Sequence, residues 1–145
     1  MRALAFLFLA SVAFAQPSPR RLTDAQKQVL LDAVRPFKGQ KISIVCILGD
    51  VECRIFARDL IDVLRKAEWT GIGTGSGIIE AAYNEDPIGA VLSVSRADAT
   101  AGKLPPAAQP LMQTLRQFGL LTGAGNSDKV PPATLELRIG KKPVP

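Results

Sequence analysis

Apolar and polar positions along this chain change period several times, and each change marks an element. Thr23-Asp24-Ala25-Gln26 has the Thr-x-x-Gln spacing of a capping box, in which the hydroxyl accepts from the third backbone N–H and the amide reaches back. Val29, Leu30, Ala33, Val34 and Phe37 then recur at helical spacing, predicting an amphipathic helix that ends near Arg35, the residue before Pro36. The stretch Lys41 to Trp69 organises the rest. Ile42 to Leu48 is apolar on both alternating sets, with only Ser43 interrupting, which predicts a central strand covered on both faces. After Gly49 the period returns to helical. Asp50 is placed to cap the new helix, and Glu52 in its first turn complements the positive end of the helix dipole. Phe56, Leu60, Val63, Leu64 and Ala67 form the apolar stripe of that helix, opposite Arg54, Arg58, Asp62, Arg65 and Lys66.

Beyond it the pattern weakens. Trp69 to Ile72 reads as a short second strand, Gly73-Thr74-Gly75-Ser76-Gly77 as a loop, and Ile78 to Tyr83 as a single helical turn closed by Asn84-Glu85-Asp86-Pro87. Gly89 to Ser95 is a third strand with Ala90, Leu92 and Val94 inward, and Arg96 to Pro106 a loop. Pro110 suits the first turn of a short helix that presents Leu111, Met112, Leu115 and Phe118 and stops at Gly119. The chain then reads as loop up to Pro132. Thr134 to Ile139 alternates cleanly, Leu135, Leu137 and Ile139 against Thr134, Glu136 and Arg138, and is expected to be a half-exposed strand near an edge.

These elements predict a single α/β domain, an N-terminal helix followed by β-α-β-β-α-β. That order is the ferredoxin-like sandwich. If the segment after Gly77 is a crossover helix, the same elements make a small Rossmann-like parallel sheet instead. In either case the N-terminal helix is the expected cover for the second face.

Composition sets the compartment and excludes chemistries. Arg2, the apolar run Ala3 to Val12, and Ala13-Phe14-Ala15 have the form of a signal peptide over residues 1–15, cleaved after Ala15. The run is too short to span a bilayer, so membrane contact is expected to be at most peripheral or through an uncleaved signal. Residues 16–22, QPSPRRL, read as a flexible leader, and residues 23–143 as the domain. About 130 residues remain after cleavage, enough for a core without staples. The net charge of +5 is spread along the chain, without the basic stripe interleaved with aromatics that marks a nucleic-acid binder.

The chain has no histidine. That removes Ser-His-Asp and Cys-His catalysis and histidine metal sites, and no metal or cofactor is expected. Cys46 and Cys53, the only thiols, are compatible with a disulfide across the strand-helix turn, with two separate buried thiols, or with a nucleophilic Cys53 activated by the helix N-terminus. The glycine stretch lacks both the sixth-position glycine of a dinucleotide loop and the Lys-Ser/Thr of a P-loop. Asp50, Glu52 and Asp59 could in principle serve as acid and base, but capping and dipole compensation already account for the first two. Ser76, Ser93 and Ser95 have no activating base in the sequence, and Phe56 and Trp69 are expected to be core anchors.

Gly49-Asp50 after an Ile/Val strand, Phe56-Ala57 and Leu60 in the helix, Ala67-Glu68-Trp69 after it, and the C-terminal Ile139-Gly140-x-Lys142-Pro143 resemble a set of uncharacterised bacterial exported or membrane-attached small α/β domains. The resemblance implies one α/β domain and carries no activity, so no functional residue transfers from it.

The function expected from the sequence is a non-catalytic exported binding or envelope-associated module, its partner an envelope protein or a small ligand. Gly49, Asp50 and Glu52 with Gly73, Thr74, Gly75 and Ser76 are the candidate ligand-binding residues, as loops at the ends of the sheet. Two other readings are an interaction domain that pairs through Thr134 to Ile139 as an edge, and a weak thiol-dependent enzyme built on Cys53.

Overall fold

The computed structural model describes residues 18–144; the expected signal segment 1–15 lies outside the described residues. Helix α1 spans Asp24–Val34, with both hydrogen bonds of the Thr23/Gln26 capping box in place, and a turn of 3-10 helix at Arg35–Phe37 carries Pro36. Strand β1, Lys41–Ile47, leads through Leu48-Gly49-Asp50 into α2, Val51–Lys66. Asp50 caps α2 by accepting from the Cys53 N–H at 3.0 Å. The remaining elements are β2 (Ile78–Ala81), β3 (Ala90–Ser95), α3 (Arg96–Thr100), α4 (Ala108–Gln117), β4 (Gly123–Ser127) and β5 (Thr134–Ile139).

The strands form one mixed sheet in the order β2-β1-β5-β3-β4. β2 and β5 run parallel to β1, β4 runs parallel to β3, and β3 is antiparallel to β5. The fold is thus two parallel β-α-β units facing opposite ways, with the last strand inserted between them. It is an α/β domain, but neither of the two expected strand orders. The all-parallel option fails at the β3–β5 pair, and the ferredoxin-like one because β1 and β2, and β3 and β4, are direct neighbours with no strand between them.

Five local readings also change. Residues 78–81 form a strand rather than a helical turn, registered on Ile44 to Ile47. Around Trp69 to Ile72 the sheet keeps one isolated bridge, Lys41 to Thr70. Gly123–Ser127, read as loop, is β4, and the loop after Ser95 begins with α3. Thr134–Ile139 is not an edge: β1 and β3 pair with its two sides, leaving no free backbone for a partner strand, so the edge-pairing reading lapses.

Helices α1, α2 and α4 lie on one face. Leu30 and Val34 of α1, Phe56, Leu60 and Leu64 of α2, and Leu111 and Leu115 of α4 share one core with Ile42, Ile44, Leu92, Leu135, Leu137 and Ile139. Trp69 closes the core beyond the end of α2, donating from Nε1 to the Val34 carbonyl at 3.1 Å. Because strand side chains alternate, Val45, Ile47, Val91, Glu136 and Arg138 point the other way. α1, expected to cover that second face, packs instead beside α2 and α4 on the first.

The expected flexible leader is docked where it is described. Arg20 and Leu22 are buried, and two neighbouring arginines grip two carboxylates on α2. Arg20 donates its backbone N–H and Nε to Glu52 Oε1, both at 2.8 Å, and Nη2 to Glu52 Oε2 at 2.7 Å. Arg21 donates to both oxygens of Asp59, at 2.8 and 3.1 Å, and the Leu22 N–H adds a third bond at 3.0 Å. Glu52 and Asp59 are seven residues apart, two helical turns, and so share a side of α2.

Candidate functional site

The sequence-predicted ligand residues do not come together. Gly49, Asp50 and Glu52 lie at the end of the sheet where β1 finishes and α2 begins. Gly73, Thr74, Gly75 and Ser76 lie between the far end of α2 and the start of β2, which runs parallel to β1. Sixteen helical residues separate the two groups, about 24 Å at 1.5 Å per residue. Each group also has structural work. The carbonyls of Gly73 and Gly75 accept from Arg65 Nη2, which closes the glycine loop back onto α2. Asp50 is the cap, and Glu52 is spent on Arg20.

The carboxylates that hold the leader are electrostatically satisfied. Burial by itself raises the Glu52 carboxyl, but hydrogen bonds from the Arg20 side chain and backbone, with the charges of Arg20 and Lys142, outweigh it and leave it lowered. Asp59 follows the same balance: burial raises it, and Arg21, the Leu22 N–H and Lys27 bring it below its ordinary range. Arg21 is raised in turn, by its hydrogen bond to Asp59 and that charge. Two lowered carboxylates, each already gripped by a cation, are poor proton acceptors at neutral pH, which argues against acid–base catalysis here.

Cys46 and Cys53 form a disulfide with Cα atoms 5.8 Å apart, and both are fully buried. The bond staples the end of β1 to the first turn of α2, and the reading of Cys53 as a free nucleophile ends with it. No group of three His, Cys, Asp or Glu side chains suited to a metal ion occurs among the described residues.

What tertiary structure does assemble is a polar centre on the second face of the sheet, where Val45 and Ile47 are buried and Glu136 and Arg138 half-buried. Register places Ser43 of β1 and Ser93 of β3 on either side of Glu136, with Gly125 of β4 beyond Ser93. Neighbouring strands lie about 4.8 Å apart, so two hydroxyls flank one carboxylate. The next row is Ile79, Val45, Arg138, Val91 and Gly123. Arg138 Nη2 donates to Glu136 Oε1 at 2.9 Å, and the guanidinium carbon lies 5.8 Å from the Tyr83 ring centre. The Glu136 side chain is 16% exposed and that of Arg138 40%. Arg138 Nε is buried without a hydrogen-bond partner among the described residues.

Ser93 was considered in the sequence only as a nucleophile, and Glu136 and Arg138 only as the outward side of an edge strand. The one signal present was the alternation of β5, which assigned both to the polar face. A separate apolar cavity of about 300 Å³ lies between β3, β4 and α4, lined by residues including Leu92, Val94, Leu104 and Met112; it contains no charged side chain. Comparisons of the chain with protein-family models, with curated proteins and with solved structures give no match.

Proposed function

We propose that the protein is a non-catalytic, exported binding module whose recognition surface is the second face of its sheet, centred on the half-buried pair Glu136 and Arg138. One observation carries this reading: a central strand presents a half-buried ion pair, flanked by two serines, on the face opposite α1, α2 and α4. Sheets in such domains usually bury both faces or solvate one with scattered polar groups. Here the charge pair is concentrated at the centre, and the Arg138 side chain, 40% exposed, keeps guanidinium donors within reach of an incoming acceptor. Without histidine or a free thiol, recognition is better supported than turnover. Export is supported by the residue pattern of 1–15 and by the Cys46–Cys53 disulfide, which suits an oxidising compartment.

The test is affinity capture from a cell-envelope extract with the full chain and with Arg138→Ala, identifying proteins and small molecules alike. A species retained by the wild type and lost with Arg138→Ala is expected. The same species retained equally by both, or none retained by either, refutes the sheet face as the site.

A further inference from the structure

Close packing leaves protein interiors few voids larger than a water molecule, yet a cavity of about 300 Å³ persists between β3, β4 and α4, on the side of the sheet opposite Glu136. Its floor is Leu92 and Ala108, 3% and 8% exposed. Val94 and Met112 also line it, and both stay only partly buried although they pack against the core. Leu104, 54% exposed, stands at the mouth. The space is open because of what β4 leaves out. In register with Leu92 that strand carries Ala124, where a branched apolar side chain would fill the cavity. Pro105 and Pro106 hold their backbone at a fixed φ, which stiffens the wall that leads into α4.

The lining decides the chemistry of an occupant. Gln109, exposed in the first turn of α4, is the one polar side chain along it. A buried water needs about two to four polar partners; the apolar walls supply none, so water is displaced from them with a gain. No charged side chain lines the cavity. Arg96 is engaged with Asn126 and Asp128, and Lys103 and Arg116, though close in sequence to Leu104 and Met112, lie outside the lining. A carboxylate or ammonium inside would lose its hydration without gaining a partner. Volume sets the size. A cavity of about 150 Å³ takes benzene, so one of about 300 Å³ takes a molecule about twice as large, of about ten to twelve non-hydrogen atoms. Met112, unbranched and flexible, adapts to its outline.

We infer that the cavity between β3, β4 and α4 is a ligand site in its own right, taking an uncharged apolar molecule about the size of two fused aromatic rings, with one hydrogen-bonding group turned to Gln109. It is independent of recognition on the opposite face of the sheet.

The probe is 2-naphthol, a neutral two-ring molecule with one hydroxyl, titrated into the full chain and followed by backbone amide shifts in NMR. Saturable shifts at Ala124, Gly125 and Met112 are expected, with a Kd of about 1 mM or tighter for a ligand of this size. Ala124→Leu, which fills the cavity, should weaken binding at least about tenfold; Met112→Trp gives the same reading if that variant does not fold. The charged analogue 2-naphthoate should bind at least about tenfold more weakly than 2-naphthol. Absence of saturation, shifts centred instead on Ser43 and Glu136, or equal binding of 2-naphthoate overturns the inference. So does a dimer that Ala124→Leu dissociates, because a second copy of the chain is then the occupant.

Discussion

Glu52→Gln tests whether the arginine grip on α2 holds the domain together. The substitution keeps the shape of the side chain and removes its charge, leaving Arg20, whose side chain is 6% exposed, with the Gly140 carbonyl and the face of Phe56 at 5.0 Å. Breaking a buried pair from one side costs about 3–5 kcal/mol because the remaining charge is uncompensated. The Glu52 side chain is 24% exposed, and water relieves part of that, so a loss of about 2–3 kcal/mol is expected. In a domain of this size about 1 kcal/mol corresponds to 3–4 °C in Tm. Urea unfolding of the full chain should show a lower midpoint with an unchanged slope. Arg20→Met should cost less, since it leaves only a partly solvated carboxylate and an apolar side chain against Phe56. A change below about 0.5 kcal/mol for Glu52→Gln, or a larger loss for Arg20→Met, refutes the reasoning. The same grip sets a pH dependence. Glu52 and Asp59 are both lowered from ordinary values of 4.5 and 3.8, so the unfolded chain takes up protons first. Their contribution is complete above those values and is lost as pH falls through the lower folded ones. Stability measured between pH 7 and pH 3 should be level at first and fall below about pH 4.5 in the wild type, and fall less steeply in Glu52→Gln.

Reduction of Cys46–Cys53 opens a short loop and should lower stability by about 2 kcal/mol in urea titrations with and without dithiothreitol. Gly140→Ala places a methyl group against the Pro87 carbonyl, an approach only glycine permits; a loss of about 1–3 kcal/mol is expected, read as a fall in Tm. Hydrogen exchange should find the amides of β5 among the slowest in the protein, because it is paired on both sides; fast exchange along either side would contradict the central position.

Much of the secondary structure was legible because its causes are local. The capping box at Thr23, the cap at Asp50, the stripe of α2 and the alternation of β5 each act within a few residues, and each element formed as read. β2 and β4 were missed for the same reason. Gly123–Ser127 contains no large apolar residue, and Ile78–Ala81 is too short to show a period; both are strands only because a neighbouring strand satisfies their backbone groups.

Alternation in β5 was read as proximity to an edge, but alternation reports which side of a sheet is polar, not where the strand lies within it. On a sheet with one partly polar face, a central strand alternates just as an edge strand does. Glu136 and Arg138 therefore looked like solvent-facing residues, although strand order places them at the centre of that face between Ser43 and Ser93. Likewise, two arginines among prolines read as a leader until Glu52 and Asp59, more than thirty residues away, became their partners. The sequence by itself determined α1, α2 and α4, the principal strands, the α/β class and the exclusion of histidine chemistry, since these rest on composition and short-range periodicity. Strand order, the side on which α1 packs, the docking of Arg20 and Arg21, and the polar centre of the second face were decided only by tertiary structure. They depend on which distant segments meet, and neither period nor propensity encodes that pairing.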